Sequence, residues 1–167
     1  MTATEIDISA SPATTHAVLV DASTYPEWLV GAKRIRAVDP DWPAIGTSFH
    51  HAVGAGPLTI KDRTTVLEHP DEQCLVLEAH IGPLGAARVR FSVAPLDGGD
   101  ATHLTVDEEP SSGLARLLWN TPARPLVAAS LWGRNAVSLQ SLRSLVEDRA
   151  TTGATDTTAT SEQTPPA

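Results

Sequence analysis

The fold is decided by residues 58–81, which read LTIKDRTTVLEHPDEQCLVLEAHI. On both sides of the turn-forming residues 69–72, apolar residues alternate with polar ones, a pattern typical of strands that have one buried face. Because the connection between the two segments is short, the strands must pair antiparallel. The stretch therefore predicts a hairpin of two strands, over residues 58–69 and 73–81.

Further alternating segments extend this hairpin into a meander. They are separated by turns rich in Gly, Pro and Asp at residues 54–57, 82–85 and 97–100. The additional predicted strands cover residues 4–9, 33–38, 47–53, 86–96 and 101–109. Together these segments predict a curved antiparallel sheet of about six to seven strands.

Two short helices are predicted near the N-terminus. Ser11 is suited to cap the first, with Pro12 at the first helical position, where the missing N–H of proline removes no hydrogen bond. The second short helix carries residues 25–29 and is expected to be capped by Ser23 or Thr24.

A long helix is predicted from Pro125 to about Asp148. Its inward stripe recurs at spacings of three and four residues, which places one continuous face against the sheet. The stripe consists of Ala128, Leu131, Trp132, Asn135, Leu139, Leu142 and Val146. Residues 150–167 contain no large apolar side chain and are predicted to be a disordered tail, which leaves residues 1–149 as a single domain.

The composition excludes several classes of partner. The chain has 167 residues, of which 41% are hydrophobic, and a formal net charge of −8, which disfavours nucleic acid and anionic membranes. Its one cysteine, Cys74, excludes an internal disulfide and offers no metal-ligand spacing, so neither a metal nor a cofactor is expected. No signal peptide and no membrane-spanning stretch is evident, and a cytoplasmic location without membrane insertion is expected.

Three segments resemble a known family: residues 20–28, VDASTYPEW; residues 56–79, GPLTIKDRTTVLEHPDEQCLVLEA; and residues 132–147, WGRNAVSLQSLRSLVE. The chain is similar to the START-like polyketide cyclase/dehydrase (SRPBCC) superfamily. The resemblance implies an α+β helix-grip fold, in which the sheet and two short helices wrap around the long C-terminal helix. It also implies a deep, mostly apolar cavity between helix and sheet, of roughly 300–1,000 Å³.

Alternation along the strands predicts which side chains line this cavity, because successive side chains point to opposite faces. The inward apolar residues among them are Ile60, Leu77, Val89, Phe91, Leu104 and Val106. Trp28 and Trp132 are expected to meet across the cavity, and Trp119 to form a lid or mouth. Trp42 lies in a proline-bounded turn and is interpreted as a surface plug. For each tryptophan the alternative is ordinary core packing.

Polar residues are also expected in the cavity. Glu108 shares the inward face of its strand, and Asn135 falls on the inner stripe of the long helix, where it is suited to orient a ligand carbonyl. Arg134 lies one position off that stripe and is expected to cap or pair at the surface.

Candidate catalytic residues come from two strands. Parity points His51 inward, and it also places Asp62 among apolar neighbours, where burial would disfavour the charged form of the carboxylate. The alternative for Asp62 is a bulge near residues 54–56 that shifts the register and turns its side chain outward, beside Lys61 or Arg63. For His51 the alternative is a hydrogen-bonded lining residue.

Three functions fit these features. The first is binding of a small hydrophobic ligand, such as a lipid or polyketide, which needs only an apolar lining and a few orienting groups. The second is a cyclase or dehydratase that uses His51 and Asp62 as acid and base. The third is a protein-interaction module with an unidentified protein partner. Hydrolase, dinucleotide, NTP and zinc-protease motifs are absent from the sequence.

Overall fold

The computed structural model describes residues 2–54, 59–80, 85–122 and 124–160. Its strands are β1 (Thr2–Ile8), β2 (Ala32–Val38), β3 (Ser48–Val53), β4 (Ile60–Asp71), β5 (Cys74–His80), β6 (Ala86–Leu96) and β7 (Ala101–Pro110). Its α-helices are α1 (Pro12–Val20), α2 (Tyr25–Trp28), α3 (Gly113–Trp119) and α4 (Arg124–Thr160). The predicted turn residues 55–57 and 82–84, Leu58, Ile81 and the side chain of Leu131 lie outside the described residues.

The seven strands form one sheet in the order β1-β7-β6-β5-β4-β3-β2, and all neighbouring strands are antiparallel. Helix α4 packs against one face of this sheet through Leu139, Leu142 and Val146, which are at most 2% exposed. The predicted α+β helix-grip fold, with an antiparallel sheet and a long C-terminal helix, is confirmed. Among the described helices none is both long and apolar enough to cross a bilayer.

Local hydrogen bonds explain where the N-terminal helices begin. The hydroxyl of Ser11 accepts from the backbone N–H of Thr14 at 3.2 Å, and Pro12 begins α1, as predicted. Thr24, one of the two predicted caps of the second helix, occupies the N-cap position, but its side chain does not cap the helix. Thr24 makes no capping hydrogen bond; its hydroxyl donates to the Val18 carbonyl and accepts from the indole N–H of Trp28. Thr24 therefore ties α2 to α1, because its buried hydroxyl finds partners in both helices.

Trp42 is not a surface plug. Its indole N–H donates to the Val20 carbonyl at 2.6 Å, and its ring meets Phe49 edge-on at 5.0 Å between centroids. The side chain is half-buried because the proline-bounded turn folds back over the aromatic part of the core.

Helix α4 continues beyond its predicted end near Asp148, to Thr160. Its last fully buried hydrophobic residue is nevertheless Val146. In the next turn Ala150 packs against the core while partly buried, the backbone N–H of Ser9 donates to Glu147, and Arg149 pairs with Asp21. The division of the chain at residue 149, with a disordered tail beyond it, stays a prediction.

Candidate ligand-binding cavity

A narrow cavity lies between α2, α4 and the inner face of strands β4 to β7. Its volume is about 60 Å³, much smaller than the volume expected from the sequence resemblance. The apolar lining consists of Tyr25, Trp28, Leu29, Leu77, Ala79, Val89, Phe91, Val106 and Leu139. The polar lining consists of Thr64, Glu108, Arg134, Asn135 and Ser138. Such a space admits a slender group, and a bulkier ligand would have to displace the helices.

A carboxylate is held at one side of the cavity by two residues of α4. Glu108 is 1% exposed and lies on the inward face of β7. Arg134 Nη2 donates to its two oxygens at 2.7 and 2.6 Å, and Asn135 Nδ2 donates to Oε2 at 2.7 Å. Arg134 Nη2 also contacts Asn135 Oδ1 at 3.1 Å. Because the carboxylate and the guanidinium cancel, the cluster presents dipoles rather than net charge to the cavity.

One donor of this cluster is unused. Arg134 Nε is buried and has no hydrogen-bond partner among the described residues. Two other polar groups at the cavity are engaged: the Tyr25 hydroxyl donates to the Leu19 carbonyl at 2.9 Å, and Ser138 Oγ accepts from the Val30 N–H at 3.1 Å. Burial raises the pKa of Tyr25, which keeps its hydroxyl protonated. An unpaired buried N–H is costly, so an acceptor from a ligand would be stabilised at Arg134.

His51 and Asp62 lie together, but neither lines this cavity. They are directly opposite in the β3–β4 register, which is regular from Ser48 to Val53, so no register shift of the kind considered for Asp62 appears in this pairing. His51 is 4% exposed, and its Nδ1 has no hydrogen-bond partner in the described part of the chain. Burial lowers the pKa of His51, and the charge of Asp62 opposes this shift. Their catalytic role stays a prediction.

The lowered pKa of His51 predicts a loss of stability in mild acid. Below the ordinary histidine pKa of about 6.5 the unfolded chain binds more protons than the folded chain, so the free energy of unfolding falls as pH decreases. His16, whose pKa is lowered by burial and by His69, acts in the same direction. We expect His51→Leu to reduce the difference in unfolding free energy between pH 7.5 and pH 5.5, measured by urea denaturation. An undiminished difference in this variant would contradict the assignment.

Seven of the predicted ligand-binding residues border the cavity: Trp28, Leu77, Val89, Phe91, Val106, Glu108 and Asn135. Leu104 lies instead in the solid core and is fully buried. Their role in ligand binding stays a prediction.

Three predicted lining residues lie elsewhere. Ile60 is 47% exposed at the beginning of β4, and Trp132 is 55% exposed and borders a groove beside β1. Trp132 lies outside the cavity because the first part of α4 passes over β1. This strand is the edge of the described sheet, so no further strand covers the inward stripe of the helix there. Trp119 ends α3, is half-buried, and has the Arg124 guanidinium 5.1 Å from its ring centroid.

Sequence reasoning missed Arg134, which it assigned to the surface. The signal was the inward position of Glu108, because a buried carboxylate requires a cation or several donors. Arg134, which directly precedes the inward Asn135 in the sequence, was the available cation. Its guanidinium reaches Glu108 although its Cα lies off the centre of the stripe.

Comparisons with known proteins agree with this architecture. The family model described as "Polyketide cyclase / dehydrase and lipid transport" matches residues 2–147. A START superfamily protein from Mycobacterium smegmatis is 21% identical, with 90% of this chain and 96% of that chain covered and a TM-score of 0.63. The Zhui aromatase/cyclase from Streptomyces sp. R1128 is 14% identical, with coverages of 88% and 93% and a TM-score of 0.65.

No curated protein matches the sequence. At these identities the two structures establish a shared fold, and the family model, which spans nearly the whole domain, establishes membership. The chain belongs to the polyketide cyclase/dehydrase and lipid transport family.

Proposed function

We propose that this protein binds a small, slender hydrophobic molecule that carries a neutral oxygen acceptor. The observation that supports this most directly is the Arg134 Nε, which has no hydrogen-bond partner among the described residues, at the border of a mostly apolar cavity. Burial of the apolar part of the ligand would supply most of the affinity, and a hydrogen bond to Arg134 would fix its orientation.

Charge favours a carbonyl or hydroxyl oxygen over a carboxylate. The Arg134 guanidinium already neutralises Glu108, so a second carboxylate would add an uncompensated negative charge beside a residue that is 1% exposed. A ketone or an alcohol accepts the Nε hydrogen without this cost.

Three compounds of equal chain length are compared: undecane, 2-undecanone and undecanoic acid. They separate the effect of apolar burial from that of the hydrogen bond to Arg134 and from that of a second carboxylate. We expect 2-undecanone to bind most tightly, measured by quenching of tryptophan fluorescence and confirmed by native mass spectrometry. Equal affinity for the alkane and the ketone would contradict a role for the Arg134 donor, and binding of none of the three would contradict the cavity proposal.

Filling the cavity with a larger side chain should weaken binding of the ketone without unfolding the protein. Ala79 lines the cavity, whereas Ala94 is exposed on β6. We expect Ala79→Leu to weaken 2-undecanone binding by about tenfold or more, because the added carbons occupy the ligand's space. Ala94→Leu is the matched control and should bind as wild type. Unchanged affinity in Ala79→Leu, at wild-type stability, would place the ligand elsewhere.

The alternative function is a cyclase or dehydratase that uses His51 and Asp62. Neither residue borders the cavity, which is why binding is favoured here. Turnover of a poly-β-keto mimic that is lost in His51→Ala and in Asp62→Asn would overturn the binding proposal in favour of catalysis. For the interaction-module alternative, the decisive result is a stoichiometric partner that is lost when residues 150–167 are removed.

A further inference from the structure

The outer face of the sheet, opposite the cavity, carries a row of basic side chains. His50 on β3 lies directly opposite Arg63 on β4 and opposite Ala37, the neighbour of Arg36, on β2. On β5, Ala79 is paired with Thr64 of β4. The next residue, His80, therefore lies beside Arg63 on the outer face and continues the row. The four basic side chains thus cross four adjacent strands, which lie roughly 4.8 Å apart.

This row departs from the pattern of the rest of the outer face. Elsewhere, charged residues that lie directly opposite are of opposite sign: Glu78 with Arg88, Arg88 with Glu109, Arg90 with Asp107, and Asp7 with His103. Those pairs stabilise the sheet, whereas like charges in opposite positions destabilise it. The basic row differs from this pattern because none of its members lies directly opposite a carboxylate in the described strands, although the chain has 20 acidic residues.

The cations of this row, together with Lys61, which precedes Arg63 by two residues on β4, are available to a ligand. Arg36, Lys61 and Arg63 are exposed, and within the described residues none of their side chains makes a hydrogen bond or ion pair. Together with His50 and His80 they border a shallow depression of about 350 Å³. His80 Nε2 is buried there without a hydrogen-bond partner among the described residues.

Two carboxylates limit the positive charge. Asp62 also borders the depression, and Glu78 Oε2 lies 3.7 Å from His80 Nε2. With neutral histidines, the three cations and Asp62 leave a net charge of about +2 at the depression itself. Since the whole chain has a net charge of −8, the parts of an extended polyanion that lie outside the depression would be repelled by the acidic protein, whereas a single anionic group held inside the depression would not.

We propose that this basic depression binds the phosphate group of a small molecule. Arg36 and Arg63 present planar donor forks suited to phosphate oxygens, and Lys61 adds a point charge. Hydrogen-bond donation from the imidazoles of His50 and His80 completes the site. The site lies on the face of the sheet away from the cavity, so it does not depend on the hydrophobic ligand proposed above.

The test is a titration of the full chain with inorganic phosphate and with phenyl phosphate at constant ionic strength. The imidazole resonances of His50 and His80 are followed by NMR. We expect saturable shifts with both compounds, and about tenfold or greater weakening in Arg63→Gln and in Lys61→Gln, because each removes a charge-assisted contact. Arg116→Gln, which removes another exposed arginine, on α3, is the control and should bind as wild type.

Sedimentation with vesicles identifies the source of the phosphate. Binding of free phosphate that is lost in Arg63→Gln supports the proposal. Association with phosphatidic acid vesicles but not with free phosphate or phenyl phosphate would overturn it, since the depression would then act as a membrane contact. Shifts that are absent, or that persist unchanged in both Arg63→Gln and Lys61→Gln, would also overturn it.

Discussion

Replacing Arg134 with methionine is expected to lower the free energy of unfolding by about 3–5 kcal/mol. The reason is the burial of Glu108, whose side chain is 1% exposed and takes two hydrogen bonds from the Arg134 guanidinium. Without the guanidinium the carboxylate keeps only the Asn135 amide as a donor among the described residues, and its side chain is almost fully buried. Urea denaturation at pH 7, followed by tryptophan fluorescence, measures the loss.

The two partners of this ion pair should not be equivalent. The Arg134 side chain is 32% exposed, so in Glu108→Leu the cation can turn toward water, and we expect a smaller loss than in Arg134→Met. In the double variant no charge is left unpaired, and its stability should return close to wild type. A loss below about 1 kcal/mol in Arg134→Met would show that Glu108 is solvated in solution.

Ligand binding should also separate the two roles of the cluster of Glu108, Arg134 and Asn135, which are to stabilise the fold and to bind the ligand oxygen. The double variant Glu108→Leu with Arg134→Met restores packing but removes the Nε donor. We expect it to bind 2-undecanone and undecane alike, whereas wild type prefers the ketone. A retained preference in the double variant would mean that another polar group, such as Thr64 or Ser138, receives the ligand oxygen.

The strands were predictable because their signals are local. Strand β6 covers residues 86–96 as predicted, and β7 exceeds its predicted end by one residue, because alternation and Gly-rich turns fix both boundaries. Helix α3 was not among the helices predicted from the sequence. Its residues 113–119 carry too few turns for a helical period to be recognised, and it rests on contacts with α4 and β7.

The site was predictable only in part, because its geometry depends on how α4 lies across the sheet. Strand alternation placed Glu108 inward, and the apolar stripe of the long helix placed Asn135 inward; neither inference needs the position of the helix on the sheet. Trp132 belongs to the same helical stripe as Asn135, but it lies beside the edge strand β1 instead of facing the cavity. Arg134 lies off the stripe, and its long side chain nevertheless reaches the buried Glu108. Neither fact is encoded in spacing along the chain.

The small volume of the cavity has a similar origin. Strand alternation identifies which residues face inward, but the space left between them depends on how closely α2 and α4 approach the sheet. Here Trp28 packs against Tyr25 at 4.7 Å and against Phe91 at 6.3 Å between centroids, which fills much of the interior. A family resemblance supplies the location of such a cavity and cannot supply its size.

The second large effect is expected at Phe49. Its side chain is fully buried and is the centre of an aromatic cluster, with ring centroids 4.6 Å from Tyr25, 5.0 Å from Trp42 and 5.3 Å from His51. Through these contacts it holds α2 and the turn before β3 against the sheet. We expect Phe49→Ala to lower the free energy of unfolding by about 3–5 kcal/mol, because it leaves a void that surrounding rings cannot fill.

Two comparisons make this expectation specific to packing. Phe49→Leu keeps most of the volume and should cost less than about 1.5 kcal/mol. Phe91→Ala removes the same group from the wall of the cavity, where the lost volume joins a space that already exists. We therefore expect Phe91→Ala to alter the chain length of the preferred ketone, and Phe49→Ala to leave that preference unchanged at temperatures where the variant is folded. A shift in ligand preference in Phe49→Ala would contradict this separation, because it would mean that the aromatic cluster sets the width of the cavity.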